Sequence, residues 1–266
     1  VTGTFLSAGH LAYVLMNPWL SLVWLVIVFL LMLALRRWVE AHVQGVAYLL
    51  TGHPALALWI FFLVFLPGTL VHELSHWLAA KLLVVPTGRI SLWPQSKGGG
   101  SVWLGTIQVA RTDPLRNSLI GLAPLVSGSL LVAAIGAHLQ LDALGSTLVG
   151  GNWELAAQAL SHSTGLADFW VWLYLLFAIA NRMLPSPADR EPWKPVIIFL
   201  ALLGLIVVGA GWTPQLSPDV RDAILNLVGF LLYAFALTLA IDLLVALLLG
   251  LVEALAVLVL HRQVPY

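Results

Sequence analysis

His72-Glu73-Leu74-Ser75-His76 is the stretch of this 266-residue sequence whose residue types and spacing can do chemistry. Two histidines four positions apart fall on one face of an α-helix, so both imidazoles can reach a single metal ion. Imidazole nitrogens bind Zn²⁺ at about 2.0–2.1 Å. Glu73 lies beside them, where a carboxylate can take a proton from an attacking water and pass it to a leaving amine. Two histidines do not complete a catalytic zinc site, which needs a third protein ligand and an open position. No acid follows on the same helix between Trp77 and Val85. His10, His42 and His53 precede the motif, and Asp168, Asp189, Asp242 and Glu253 are the acids in or near later apolar stretches. Asp189 is the most attractive of these. It follows Pro185 and Pro187, which break a helix and can aim a carboxylate back toward a buried site.

The elements that carry the motif are membrane elements. The chain is 61% hydrophobic and 9% charged, with a mean hydropathy of +0.98. A soluble domain needs a polar coat and carries about 25% charged residues. This composition therefore describes an integral membrane protein. Twelve basic and twelve acidic side chains balance, so no basic surface points to nucleic acid. Cysteine is absent, which excludes disulfides, thiolate chemistry, Cys-ligated zinc and iron–sulfur clusters. Ionisable groups inside a bilayer are costly and are functional by default. Two histidines flanking a glutamate within the apolar run Leu56–Leu78 fit that rule better than they fit a structural polar cluster.

Six apolar runs read as spans: Trp19–Leu35, Pro54–Val85, Asn117–Leu139, Phe169–Leu184, Val196–Trp212 and Ile224–Leu260. The expected fold is an all-α polytopic membrane protein of about six transmembrane helices. Val1–Asn17 holds no Lys or Arg and does not read as a signal peptide. The first run stops at Arg36-Arg37, which leaves Arg36–Thr51 as an interfacial helix or the first run as re-entrant. The last run is nearly twice the length needed to cross a hydrocarbon core of about 30 Å, so it tilts and extends beyond the membrane or bends near Gly250. Gly121, Gly128, Gly204, Gly209 and Gly211 read as sites of close helix packing. Asp242 and Glu253 read as polar contacts in the bundle or part of a water or substrate path.

Between the spans, Arg89–Trp93 alternates like a strand, Pro94–Gly100 reads as a turn and Val102–Ala110 as a second strand. A small β element beside the membrane is expected just after the motif. Lys81–Arg116 holds Lys81, Arg89, Lys97, Arg111 and Arg116, and Arg182–Lys194 holds three more positive charges, while the loop Gln140–Gly165 holds none. Positive loops stay inside, so the motif should lie toward the cytoplasmic side. Arg36-Arg37 then falls outside, against the same rule.

The sequence resembles the site-2-protease-like intramembrane zinc metalloproteases in three places: His72–His76 with the following Trp77–Leu83, the GRISLWP stretch Gly88–Pro94, and Asn181-Arg182-Met183-Leu184-Pro185-Ser186-Pro187-Ala188-Asp189. The resemblance implies His72, His76 and Asp189 as ligands of one Zn²⁺, with Glu73 as the base. It implies a membrane-associated β element that presents substrate as an extended strand. It also places Asn181 near the site, where its amide can bind substrate backbone or a developing oxyanion. Ala123–Ser127 is similar to a helix-packing segment of the family, although Ala123 and Ser127 stand where Gly and Asn are usual. Arg190 stands where the family usually has Gly.

The organisation expected on this basis is an N-terminal segment with the first span (1–53), a catalytic membrane core (54–190) and C-terminal spans (191–266). The implied activity is zinc-dependent hydrolysis of peptide bonds in or near transmembrane segments of membrane-protein substrates, with the lipid bilayer as the other partner. No PDZ-like or CBS-like regulatory module is legible. Two other readings share the motif. One is a membrane zinc hydrolase acting on a non-span or lipid-modified amide. The other is a catalytically inactive membrane binding protein that keeps the metal as a cross-link.

Overall fold

The computed structural model describes residues 18–91, 95–97, 101–103, 106–110, 112–209, 211 and 217–260. His10 and Val1–Asn17 lie outside them. In chain order the elements are α1 (Pro18–Thr51), α2 (Pro54–Leu82), β1 (Thr87–Ser91), β2 (Gln95–Lys97), β3 (Ser101–Trp103), β4 (Thr106–Val109), α3 (Pro114–His138), α4 (Leu141–Val149), α5 (Trp153–Thr164), α6 (Phe169–Arg182), α7 (Pro187–Arg190), α8 (Trp193–Gly209) and α9 (Pro218–Leu260). The protein is an all-α multi-span membrane protein with a short sheet just after the His-bearing helix. Among the described residues, α1, α2, α3 and α9 are each long and apolar enough to cross a membrane. The pair α5 and α6, bent by 97° at a short break, makes a fifth if it is one span.

Three local expectations change. The first helix does not stop at Arg36-Arg37; α1 continues to Thr51. Arg36 stays helical because its Nε donates to Glu40 Oε1 at 3.0 Å, one turn on, an i,i+4 pair that neutralises the charge within the helix. The Gln140–Gly165 connection is not a loop but holds α4 and α5, the latter started by Asn152, whose side chain accepts from Leu155 N. The last apolar run is one uninterrupted helix from Pro218 to Leu260, with no break at Gly250.

The β region is also more divided than expected. β1 pairs antiparallel with β4, with a register shift between Thr87 and Ile90, and β2 pairs antiparallel with β3. So Gln95–Lys97, within the stretch read as a turn, is a strand, while the rest of Pro94–Gly100 lies outside the described residues, and Val102–Ala110 takes part in two strands, β3 and β4.

The chain divides into two compact units. One comprises 1–61, 130–177 and 221–266. In it Phe29 and Phe235 pack with ring centres 5.8 Å apart, His42 stacks on Trp38 and faces Glu253 at 3.6 Å, and Asp242 is fully buried. The other comprises 62–129 and 178–220 and contains the HExxH motif. Its helices meet at glycines. A Cβ on Gly68 would stand 1.9 Å from the Ala178 carbonyl oxygen, and one on Gly128 would stand 2.2 Å from Met183 Cβ. Close packing therefore holds for Gly128, and Gly68, not singled out in the sequence, packs in the same way. A Cβ on Gly209 or Gly211, by contrast, would meet nothing within 4 Å among the described residues, so the packing role expected of them is not seen there. Ala80, Val85 and Ile120 form a buried cluster with Val109 against it, which seats β4 on α2 and α3. α2 ends where Val85 N donates to Ala80 O at 2.8 Å and Val84 adopts φ 56°. This is a Schellman-type stop made with valine where glycine is usual.

Candidate metal centre

One face of α2, in its residues 62–82, and the short α7 build the site, all within the second unit. Helical spacing puts His72 and His76 one turn apart, with imidazole centres 4.7 Å apart. Each ring is held from behind by a main-chain carbonyl. His72 Nδ1 donates to Arg182 O at 2.7 Å, and His76 Nδ1 donates to Ile120 O at 2.8 Å. A carbonyl can only accept, so in each ring Nδ1 carries a proton, and in the neutral imidazole Nε2 keeps its lone pair. Such a backbone hydrogen bond is the usual device for orienting a metal-binding imidazole.

Asp189 arrives from the other side. Ser186 caps α7: its side chain accepts from Asp189 N, and Asp189 Oδ2 accepts from Ser186 N at 2.7 Å. Pro187 occupies the first helical position, where its missing N–H is not needed. This reciprocal cap fixes the carboxylate rotamer. Gly121 lets the segment settle on α3, since a Cβ there would stand 2.2 Å from the Asp189 carbonyl oxygen. The Ser186 amide, donating to Asp189 Oδ2, favours the carboxylate form. Arg190 is exposed, and its Nε donates back to Ser186 O at 3.4 Å rather than toward the histidines.

The three ligand groups converge. His72 Nε2 and His76 Nε2 are 3.1 Å apart, His76 Nε2 is 3.2 Å from Asp189 Oδ1, and His72 Nε2 is 3.5 Å from Asp189 Oδ2. With both rings neutral, two lone pairs and an anionic oxygen pointing at one another repel unless a cation lies among them. Ligand atoms on a tetrahedron with bonds of about 2.0–2.1 Å stand about 3.3 Å apart, which matches these edges. The geometry of His72, His76 and Asp189 fits a single divalent metal such as Zn²⁺.

Around the ligands, Glu73 is buried, and the backbone amide of Ile107 on β4 hydrogen-bonds to its carboxylate. Asn181 is buried immediately before Arg182, whose carbonyl orients His72. Ser75 Oγ bonds to Ser127 Oγ, joining α2 to α3. Of the competing acids, Asp168 pairs with His138 and Glu253 faces His42. The orienting carbonyls of Arg182 and Ile120 were not foreseeable, because main-chain acceptors leave no mark on residue type. Ser127, set down above as a departure from a resemblance, turns out to be the partner of Ser75.

No family model matches the chain, and no curated protein and no solved structure matches it. What the chain shares with known proteins is local. Its buried His72-Glu73-x-x-His76…Asp189 arrangement matches the zinc-binding architecture of the site-2-protease-like intramembrane metalloproteases and is consistent with their catalytic site.

Proposed function

We propose that the protein is an intramembrane zinc metalloprotease that hydrolyses peptide bonds in or near the transmembrane segments of other membrane proteins. The observation that carries this reading is the convergence of His72, His76 and Asp189 around one point, with Glu73 on the same stretch of an apolar helix. Zinc, when bound there, polarises a carbonyl and acidifies water. Glu73 takes the proton of the attacking water and delivers it to the leaving nitrogen. Asn181 steadies the oxygen on which negative charge develops.

A substrate helix has its amides bonded internally, so its carbonyls are poorly presented until it unwinds locally. The β1–β4 ladder supports a strand-addition route, in which an unwound segment pairs along the sheet edge. The catalytic core is 54–190. We count α8 as a sixth span. It has 17 residues, near the lower bound for crossing, and Ile197, Ile198, Phe199, Leu200, Leu205 and Ile206 are all exposed, as suits a lipid-facing helix. The positive charges of Lys81–Arg116 and Arg182–Lys194 favour a cytoplasmic position for these connections, with the site on that side.

The test uses the full chain reconstituted in lipid with a synthetic single-span peptide, its products read by mass spectrometry. Zinc-loaded wild type should cleave, a chelator should stop cleavage and added Zn²⁺ should restore it. Zinc bound at one per chain with no cleavage of any spanning peptide would favour the binding-protein reading instead. Cleavage only of a lipid-modified amide would favour the other hydrolase.

A further inference from the structure

Thr69 is the most buried hydroxyl on the metal-binding face of α2, at 4% exposure. Its Oγ1 has no hydrogen-bond partner among the described residues. That is unusual in this chain. Thr51, Ser118, Ser163, Thr164 and Thr238 each donate to the carbonyl four residues back, the ordinary refuge of a helical hydroxyl. The corresponding acceptor for Thr69 is Phe65 O, and the bond is not made.

Sequence position places Thr69 on the face of the site. Thr69 precedes His72, Glu73 and His76 by three, four and seven residues, the spacings that share one helical face. On a wheel it falls between His72 and Glu73. Helical side chains lean toward the N-terminus and cover the turn before their own Cα, so the heads of His72 and Glu73 lie over the turn that Thr69 occupies. A buried hydroxyl needs a partner, and in an apolar span bulk solvent does not supply one. The partner must come from the site.

We propose that Thr69 is a positioning residue of the metal site, whose hydroxyl holds an internal water that hydrogen-bonds on to the Glu73 carboxylate. This deepens the proteolytic reading and rests on it. A carboxylate offers about four acceptor positions. The Ile107 amide occupies one, and the Thr69 water occupies another, on the helix side. Held from two directions, the carboxylate cannot swing away from the attacking water.

Two variants test this in the full-length, zinc-loaded protein. Thr69→Val keeps shape and β-branching but removes the hydroxyl, and Thr69→Ser restores it. Experimental structures should show an ordered water on Thr69 Oγ1 in the wild type and none in Thr69→Val. With the synthetic single-span peptide, Thr69→Val should lower kcat about tenfold while leaving KM within about twofold and zinc content unchanged, and Thr69→Ser should recover kcat to within about threefold. A merely structural hydroxyl would not split kcat from KM in this way. A wild-type structure with the hydroxyl turned to Phe65 O and no water beside it would overturn the proposal. So would a wild-type kcat in Thr69→Val. If the wild type cleaves nothing, the proteolytic reading fails, while the structures still decide the water.

Discussion

Two histidine–aspartate contacts in this protein have the same length and opposite meanings. His138 Nε2 lies 3.2 Å from Asp168 Oδ2, and His76 Nε2 lies 3.2 Å from Asp189 Oδ1. The first pair is half exposed, at 47% and 50% of side-chain surface; the second is at 8% and 16%. Asp168 also accepts from the Trp172 indole at 2.7 Å, so it closes a small surface network around one histidine. Asp189 faces two histidines whose protonated nitrogens are already committed to Arg182 O and Ile120 O. The difference teaches that a distance does not make a metal site. What makes one is burial, a second imidazole, and backbone bonds that hold the outer nitrogens and turn the inner ones toward a shared point.

The comparison can be broken most severely at Glu73. Glu73→Gln should lower peptide cleavage by about 10²- to 10⁴-fold, the range lost with a general base, while zinc measured by elemental analysis stays near one per chain. Asp189→Ala removes a ligand, so zinc affinity should fall by more than about 100-fold, beyond the loss from an outer-shell partner, and activity should fall with it. A competitive chelator titration reads this, and wild-type affinity in Asp189→Ala would remove Asp189 from the site. Gly121→Ala sharpens the contrast because it removes no ligand group. Its methyl must displace the Asp189 backbone, so zinc binding should weaken by about tenfold with helical content by circular dichroism retained. The smallest effect belongs to the exposed pair. Asp168→Asn should leave zinc content and cleavage unchanged. The Trp172 indole and then His138 hold the Asp168 carboxyl below its ordinary range. Any stability it lends is therefore present at neutral pH and lost as pH falls through that lowered value. Melts of wild type and Asp168→Asn should converge in acid.

The half of the centre that lies within one helix was legible in the sequence. His72, Glu73 and His76 are related by helical period alone, and the apolar run around them identifies their solvent. Asp189 was harder, because more than a hundred residues separate it from His76. Proline spacing singled it out from Asp168, Asp242 and Glu253, and a short motif resemblance added to that, but its approach depends on the Ser186 cap and on Gly121. Spans read well where apolar runs were clean. They read poorly where helix and charge coincide, as at Arg36-Arg37, since hydropathy stops at a charge whereas a helix with an i,i+4 partner does not. α4 and α5 were missed because, at 9 and 12 residues, they are too short to read as spans, although each has an apolar face, and the start of α5 owes something to the Asn152 cap.

The carbonyls behind the two imidazoles have a consequence for how this centre can change over time. Arg182 O and Ile120 O belong to the main chain, so no substitution at those positions deletes the acceptor. The proton stays on the outer nitrogen of each histidine as long as the helices keep their places. A lineage can therefore exchange nearly every lipid-facing residue, and even the side chains at 120 and 182, without rewriting the metal chemistry. What it must conserve is a handful of letters and a few close approaches. A chain of this kind can become unrecognisable along its length while its reactive centre remains readable.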